Sequence, residues 1–100
     1  MLVDELSASA SEEVAGGLQA IRRAVIVGKR TPGMVLIGGV KQLPNGATFV
    51  YPVAVTRLAD GTVLEGRGVI PDIEVALDRA PLLQGRDAQL EAAIDYLKQK

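Results

Sequence analysis

Ser7-Ala8-Ser9-Ala10-Ser11-Glu12-Glu13 puts three hydroxyls and two carboxylates just ahead of Val14, Leu18 and Ile21, which recur at helical spacing. The pattern predicts an amphipathic helix from about Ser9 to Ile21, with the serines at its mouth. Two readings of that mouth are open. A serine there lies in the field of free backbone N–H groups, which stabilise negative charge developing on a substrate oxygen, so it is a candidate nucleophile. Ser9 and Glu12 also have the Ser-x-x-Glu spacing of a capping box, which stabilises a helix by about 1 kcal/mol with no chemistry involved.

Working outward, Met1-Leu2-Val3 reads as the end of a buried strand that delivers the serine turn. Gly16-Gly17 costs the helix about 1 kcal/mol per glycine relative to alanine, which close packing against another backbone would justify. Arg22-Arg23 are expected in its last turn, where cations suit the dipole. Ala24-Val25-Ile26-Val27-Gly28 is then a short apolar strand, completing a β-α-β unit.

Downstream, Lys29 to Gly33 is a turn by composition, and its two cations suit a solvated loop. Val35-Leu36-Ile37 is a strand that Gly38-Gly39 should break or bend, resuming from Val40 to Leu43. Pro44-Asn45-Gly46 signals a hairpin onto a long β-like stretch, Ala47 to Leu58, in which Pro52 implies a sheet edge or a bulge. Ala59-Asp60-Gly61 predicts a second hairpin onto Thr62 to Glu65. Gly66 to Asp72 reads as a loop, Ile73-Glu74-Val75 as one more strand and Ala80 to Gly85 as a linker. Asp87 is placed to cap a final helix from Ala88 to about Gln99.

Composition narrows the chemistry. The 100 residues hold one domain at most, and 48% of them are hydrophobic, a high share for a chain that must leave much of its surface wet. Eleven basic against twelve acidic residues, with no basic run and few aromatics, argues against nucleic acid as a partner. The absence of His and Cys removes a Ser-His pair, a thiolate and the common zinc sites from this segment, so no metal or cofactor is expected. No apolar run of transmembrane length and no leader pattern is present, so neither a membrane span nor a signal peptide is expected in it.

Taken together, these residues resemble the carboxyl-terminal processing (tail-specific) serine proteases and their tricorn-type relatives. The resemblance runs from the serine repeat through Ala24-Val25-Ile26-Val27-Gly28, and through the turns at Leu43-Pro44-Asn45-Gly46 and Leu58-Ala59-Asp60-Gly61. It ends in Gly66-Arg67-Gly68-Val69-Ile70-Pro71-Asp72-Ile73-Glu74-Val75, which is similar to the family's Gly-x-x-Pro-Asp closing element. It implies an α/β chain with a crotonase or Clp-protease-like β-β-α fold, and cleavage of peptide bonds near the C-termini of protein substrates. It places the nucleophile on Ser9, an oxyanion donor on the Ala10 N–H, and supporting or capping roles on Ser7 and Ser11.

One departure from the family pattern bears on mechanism. Where the processing proteases have Phe-Gly-Lys with the lysine as general base, this chain has Pro32-Gly33-Met34. A thioether does not take up a proton, and Lys29 and Lys41 do not align with the motif. Tricorn-type relatives use a His and a Ser from earlier in the chain and a Glu from the segment before the closing element, and that position falls on Glu65. The alternative is a strand-end Glu65 facing solvent, and a non-catalytic interaction or structural domain that keeps the scaffold.

On the resemblance, residues 1–78 are expected to form the C-terminal half of a protease catalytic domain, inactive alone for want of a base, and 79–100 a linker and helix. The apolar excess is expected to be covered by the missing half or by a second copy in a homo-oligomer. The family setting is the bacterial periplasm and cell envelope or the cytoplasm.

Overall fold

The computed structural model describes residues 1–99. In chain order its elements are β1 (Leu2–Val3), α1 (Ala10–Ala20), β2 (Val27–Gly28), β3 (Leu36–Gln42), β4 (Thr48–Val55), β5 (Ile73–Glu74), α2 (Arg79–Leu83) and α3 (Ala88–Lys98). The mixed helix and strand content agrees with the expected class, and β1-α1-β2 is the β-α-β unit read from the sequence. β1, β2 and β5 form a parallel sheet in that order, with Leu2 opposite Val27 and Val27 opposite Ile73.

The second strand is shorter than its apolar run, because only Val27 and Gly28 pair on both sides. Ile26 is instead clamped from one side by the closing element: its N–H donates to Asp72 Oδ2 at 2.7 Å and its carbonyl accepts from the Asp72 N–H at 2.8 Å. Gly28 is a structural requirement. Its φ is +131°, and a Cβ there would lie 1.9 Å from the Val3 carbonyl oxygen, the acceptor of the Lys29 N–H.

The helix buries a different face from the one its apolar periodicity marks. Glu12, Ala15 and Gly16 are buried, whereas Val14 and Ile21 are more than half exposed. Small residues win this face because they let the helix sit down on the layer below. A Cβ on Gly16 would come within 3.0–3.3 Å of the Leu64, Leu58 and Val69 side chains, so the close approach is to side chains rather than to backbone; Gly17 has nothing near it. Val3, Ala15, Ile26, Val35, Leu64 and Val69 form the core. Arg22 and Arg23 fall beyond the helix end, not in its last turn. Arg22 takes φ 55° and donates to the Gln19 carbonyl while the Arg23 N–H reaches Leu18, a Schellman closure with Arg where glycine is usual.

Gly38-Gly39 do not interrupt the third strand. β3 runs through them against β4 from Leu36↔Val55 to Gln42↔Thr48, and the irregularity is a bulge between Ile37 and Gly38 that leaves Val53 as the extra residue on β4. Both glycines are accommodated by their neighbours: Tyr51 and Val53 lie over Gly39, where a Cβ would meet Val53 Cγ1 at 2.6 Å. The hairpin projects from the core with almost every residue exposed, and the chain measures 57 × 35 × 16 Å. Its radius of gyration, 16.9 Å, exceeds the roughly 13 Å of a compact chain of this length.

The second predicted hairpin reduces to one bridge, Arg57↔Val63, with the Leu58 N–H donating to Thr62. The predicted linker carries α2 instead, since Pro81 at the third helical position forfeits no intrahelical bond. Asp87 caps α3 as expected, accepting from the Gln89 and Leu90 N–H groups, and buried Gln89 fastens the helix to the sheet by donating to the Val75 carbonyl at 3.0 Å. Among the described residues no helix is long and apolar enough to cross a membrane.

Replacing Gly28 by alanine drives a methyl into the Val3 carbonyl in a backbone region L-residues avoid. It should lower unfolding free energy by more than about 3 kcal/mol, read as a shift of the urea midpoint. Gly17→Ala, which meets nothing, should be neutral or stabilise by up to about 1 kcal/mol.

Candidate active site

Ser9 stands at the strand-to-helix turn with φ 58° and ψ −127°, a conformation that costs a non-glycine residue about 1–3 kcal/mol. Such strain is how a tight strand-turn-helix elbow presents a serine Oγ outward. The residue is exposed. Ser9 and Glu12 face one another as a capping box: the Ser9 N–H donates to Glu12 Oε2 at 3.1 Å, and the Ser9 side chain lies against the Glu12 N–H, whose hydrogen bond of 2.9 Å goes to the Ser9 carbonyl. The Ser9 N–H also points at the Met34 carbonyl, 3.1 Å away.

The strain is held by Glu12. Fully buried, its carboxylate accepts from the Thr31 hydroxyl and the Gly33 N–H (2.7 Å) on Oε1, and from the Met34 (2.8 Å) and Ser9 N–H groups on Oε2. Burial pushes this carboxyl up, but the donated bonds from Thr31, Met34, Gly33 and Ser9 outweigh it and hold the group below the usual range. One ionised side chain thus fixes both the serine turn and the 31–34 loop that faces it.

That loop is locked in turn to the glycine-rich segment. Thr31 Oγ1 accepts from the Val69 N–H at 2.7 Å while the Thr31 N–H donates to the Val69 carbonyl, and Gly33 accepts from the Gly66 N–H at 2.8 Å. The contact requires Gly68, whose φ is 71° and whose Cβ would lie 2.1 Å from the Thr31 carbonyl oxygen. Thr31 and Gly33 are site-building residues that turn composition did not reveal. The only signal of them was the Thr-Pro-Gly order itself, and Glu12 was legible only as a cap.

The other sequence candidates separate by role. The Ala10 N–H has no hydrogen-bond partner among the described residues, so it is a free donor directly after Ser9. Ser7 is consumed by its own turn, its Oγ donating to Asp4 Oδ1 at 2.9 Å and accepting from the Asp4 N–H at 3.0 Å. Ser11 is exposed. Glu65 makes no hydrogen bond to Ser9, and it does not simply face solvent. Its Oε2 accepts from the Val35 N–H at 2.8 Å, so the Met34–Val35 peptide group has Ser9 on its carbonyl side and Glu65 on its N–H side.

The Met34 side chain is 66% exposed beside this turn. Lys29 is paired with Glu74 at 3.1 Å, and Lys41 lies out on β3, so neither lysine reaches the serine as placed. The arrangement can present a hydroxyl and one oxyanion donor. Among the described residues none accepts a hydrogen bond from the Ser9 hydroxyl: Glu12 is saturated by donors, and Glu65 turns its Oε2 to the Val35 N–H.

A Glu12→Gln variant sets an amide NH2 against backbone donors and should cost at least about 2 kcal/mol. The lowered carboxyl also gives a pH signature. The unfolded chain takes up the proton first, near pH 4.3, so the stabilisation is complete above that value and is lost as pH falls through the lower folded value. Urea midpoints measured from pH 7 to pH 3 should fall in acid, with less dependence in Glu12→Gln.

The model of peptidase family S41 matches residues 1–75. A carboxyl-terminal-processing protease of Picosynechococcus sp. is 36% identical over 102 aligned residues, covering 99% of this chain and 25% of the relative. Among solved structures, a putative peptidase from Parabacteroides merdae is similar with TM-score 0.80 at 27% identity, over 96% of this chain and 30% of that one. The tricorn protease is similar with TM-score 0.70 at 25% identity, over 96% and 10%. This chain spans about a quarter of the length of the first two curated relatives it matches. The family match runs from β1 through the Asp72 clamp and β5 and takes in every residue that shapes the serine turn, so the chain belongs to peptidase family S41.

Proposed function

We propose that this chain carries the nucleophile of a serine peptidase of the carboxyl-terminal processing type, set in a crotonase or Clp-protease-like β-β-α domain. The observation that carries the reading is the strained, exposed Ser9 at the strand-to-helix turn, followed by an Ala10 N–H with no partner among the described residues. Ser9 Oγ attacks a peptide carbonyl carbon, and the Ala10 N–H receives the oxygen as it becomes negative. Ser9 must lose its proton to a base that these residues do not supply. Glu65, behind the Met34–Val35 peptide, is a positioning group for that wall of the site. Ser7 supports the turn, and Ser11 is a supporting group in the first turn of the helix. Substrates are peptides or protein C-termini, as the names of the relatives suggest.

Met34 favours a second reading, a non-catalytic domain that has kept the scaffold. A missing general base costs about 10²–10⁴ in rate. The two readings part on a fluorophosphonate probe applied to the full-length protein. Labelling abolished by Ser9→Ala and retained in Ser7→Ala is the expected result, and absence of labelling in the unmodified protein selects the non-catalytic domain.

A further inference from the structure

The β3–β4 hairpin stands on two feet, and both reach the first turn of α1. One foot is the Met34–Val35 segment just ahead of β3. Its Met34 N–H donates to Glu12 Oε2 at 2.8 Å, its Met34 carbonyl accepts from the Ser9 N–H at 3.1 Å, and its Val35 N–H donates to Glu65 Oε2. The other foot is Thr56, directly after β4, whose half-buried hydroxyl donates to Glu13 Oε1, 43 positions away in the chain. Among the described residues, no group from Leu36 to Val55 forms a hydrogen bond outside the hairpin, so the arm is steered from its base.

Glu12 and Glu13 are also the residues whose backbone N–H groups close on the Ser9 carbonyl, at 2.9 and 3.2 Å. The Ser9 N–H, in turn, is held by Glu12 Oε2 and the Met34 carbonyl. Both backbone polar groups of Ser9 are therefore bonded to residues that carry a foot of the hairpin or belong to one. Leu36↔Val55 pairs the two strands just above the feet, so neither foot shifts without the other. A hydroxyl donating to a carboxylate is among the stronger kinds of hydrogen bond, and a backbone as strained as that of Ser9 persists only where its surroundings over-determine it. Nothing in the serine chemistry uses Glu13, yet its side chain holds one foot while its N–H holds the strained residue.

We propose that Thr56 and Glu13 are positioning residues for Ser9: their hydrogen bond fixes the tilt of the hairpin, and through the first turn of α1 that tilt sets the geometry of the serine turn and the reactivity of its hydroxyl. The inference rests on the peptidase reading for the reactivity and on the contacts alone for the geometry. The pair acts through the backbone that presents Ser9, not by contact with the reacting atoms.

The test uses the full-length protein and three readouts: the rate of fluorophosphonate labelling of Ser9, amide hydrogen exchange of residues 9–13 and 34–35 read by mass spectrometry, and the urea midpoint. Thr56→Val keeps the side-chain shape and removes the hydroxyl. It should slow labelling about tenfold and speed exchange in those segments about tenfold, with exchange at Ile26 and Val27 unchanged. Thr56→Ser restores the donor and should bring both back to within about threefold of the unmodified protein. Glu13→Ala should match Thr56→Val, and the double variant should be no slower than either, because both changes remove the same interaction. A lowered urea midpoint with labelling and exchange unchanged makes the contact a plain cross-link and overturns the inference, as does an additive loss in the double variant. Should Thr56→Val fail to fold, Glu13→Ala against Glu13→Gln, which retains an acceptor oxygen, decides the same question, and equal losses in the two overturn it. An exchange response without any labelling of the unmodified protein removes the peptidase and keeps the positioning pair; labelling that Thr56→Val leaves untouched, with exchange unchanged, does the reverse.

Discussion

The buried Glu12 carboxylate is the interaction on which the serine turn depends. Four donors converge on it, the Ser9 N–H from its own turn and Thr31, Gly33 and Met34 from a loop 19 to 22 positions further along the chain. An isolated buried charge is costly. Saturated with donors it becomes a rivet, because every bond it accepts is stronger in the low-dielectric interior than it would be in water. The strain at Ser9 persists because this rivet leaves the turn no relaxed alternative.

The remainder of the core works as a jig for that rivet. Gly28 lets β1 and β2 come close enough to fix where the serine turn departs, and Asp72 clamps Ile26 so that the closing element lies beside the same sheet. Thr31 then serves two masters, giving its hydroxyl hydrogen to Glu12 and its lone pair to the Val69 N–H. Thr56, directly after β4, donates to Glu13, so the root of the long hairpin is tied to the same helix. The site is assembled from local turns, yet each is held by a residue distant in sequence.

Much of this was legible in the sequence, and the gaps have physical reasons. The β-α-β unit, the Pro44-Asn45-Gly46 turn, the Asp87 cap and the edge or bulge at Pro52 follow from local chemistry, and local chemistry is what a sequence displays. The buried face of α1 was misread because periodicity records where apolar side chains lie, whereas this packing selects small ones: Ala15 and Gly16 go in, Val14 and Ile21 stay out. Gly38-Gly39 were read as breaking or bending the strand; it is not broken, because Tyr51 and Val53 of the neighbouring strand cover Gly39, and the irregularity is the bulge beside Gly38. At the candidate site, roles for Ser9, Ala10 and Glu65 could be proposed from resemblance. The pairing of Glu12 with Thr31 and Gly33 could not, since nothing in a one-dimensional pattern says that a capping carboxylate will also meet a turn nineteen residues later.

The hairpin has an optical consequence. The chain contains no tryptophan and two tyrosines, Tyr51 on β4 and Tyr96 on α3. Tyr51 is stacked on Phe49 with ring centroids 5.6 Å apart, well away from the compact layer that holds Ile26 and Leu64. Emission from this chain therefore comes from two places, one on the projecting arm and one on the terminal helix that packs against β1 and β2. Loss of the Phe49 stack will change the Tyr51 signal without any change in the hydrophobic centre, so this chromophore reports the arm and is blind to the middle.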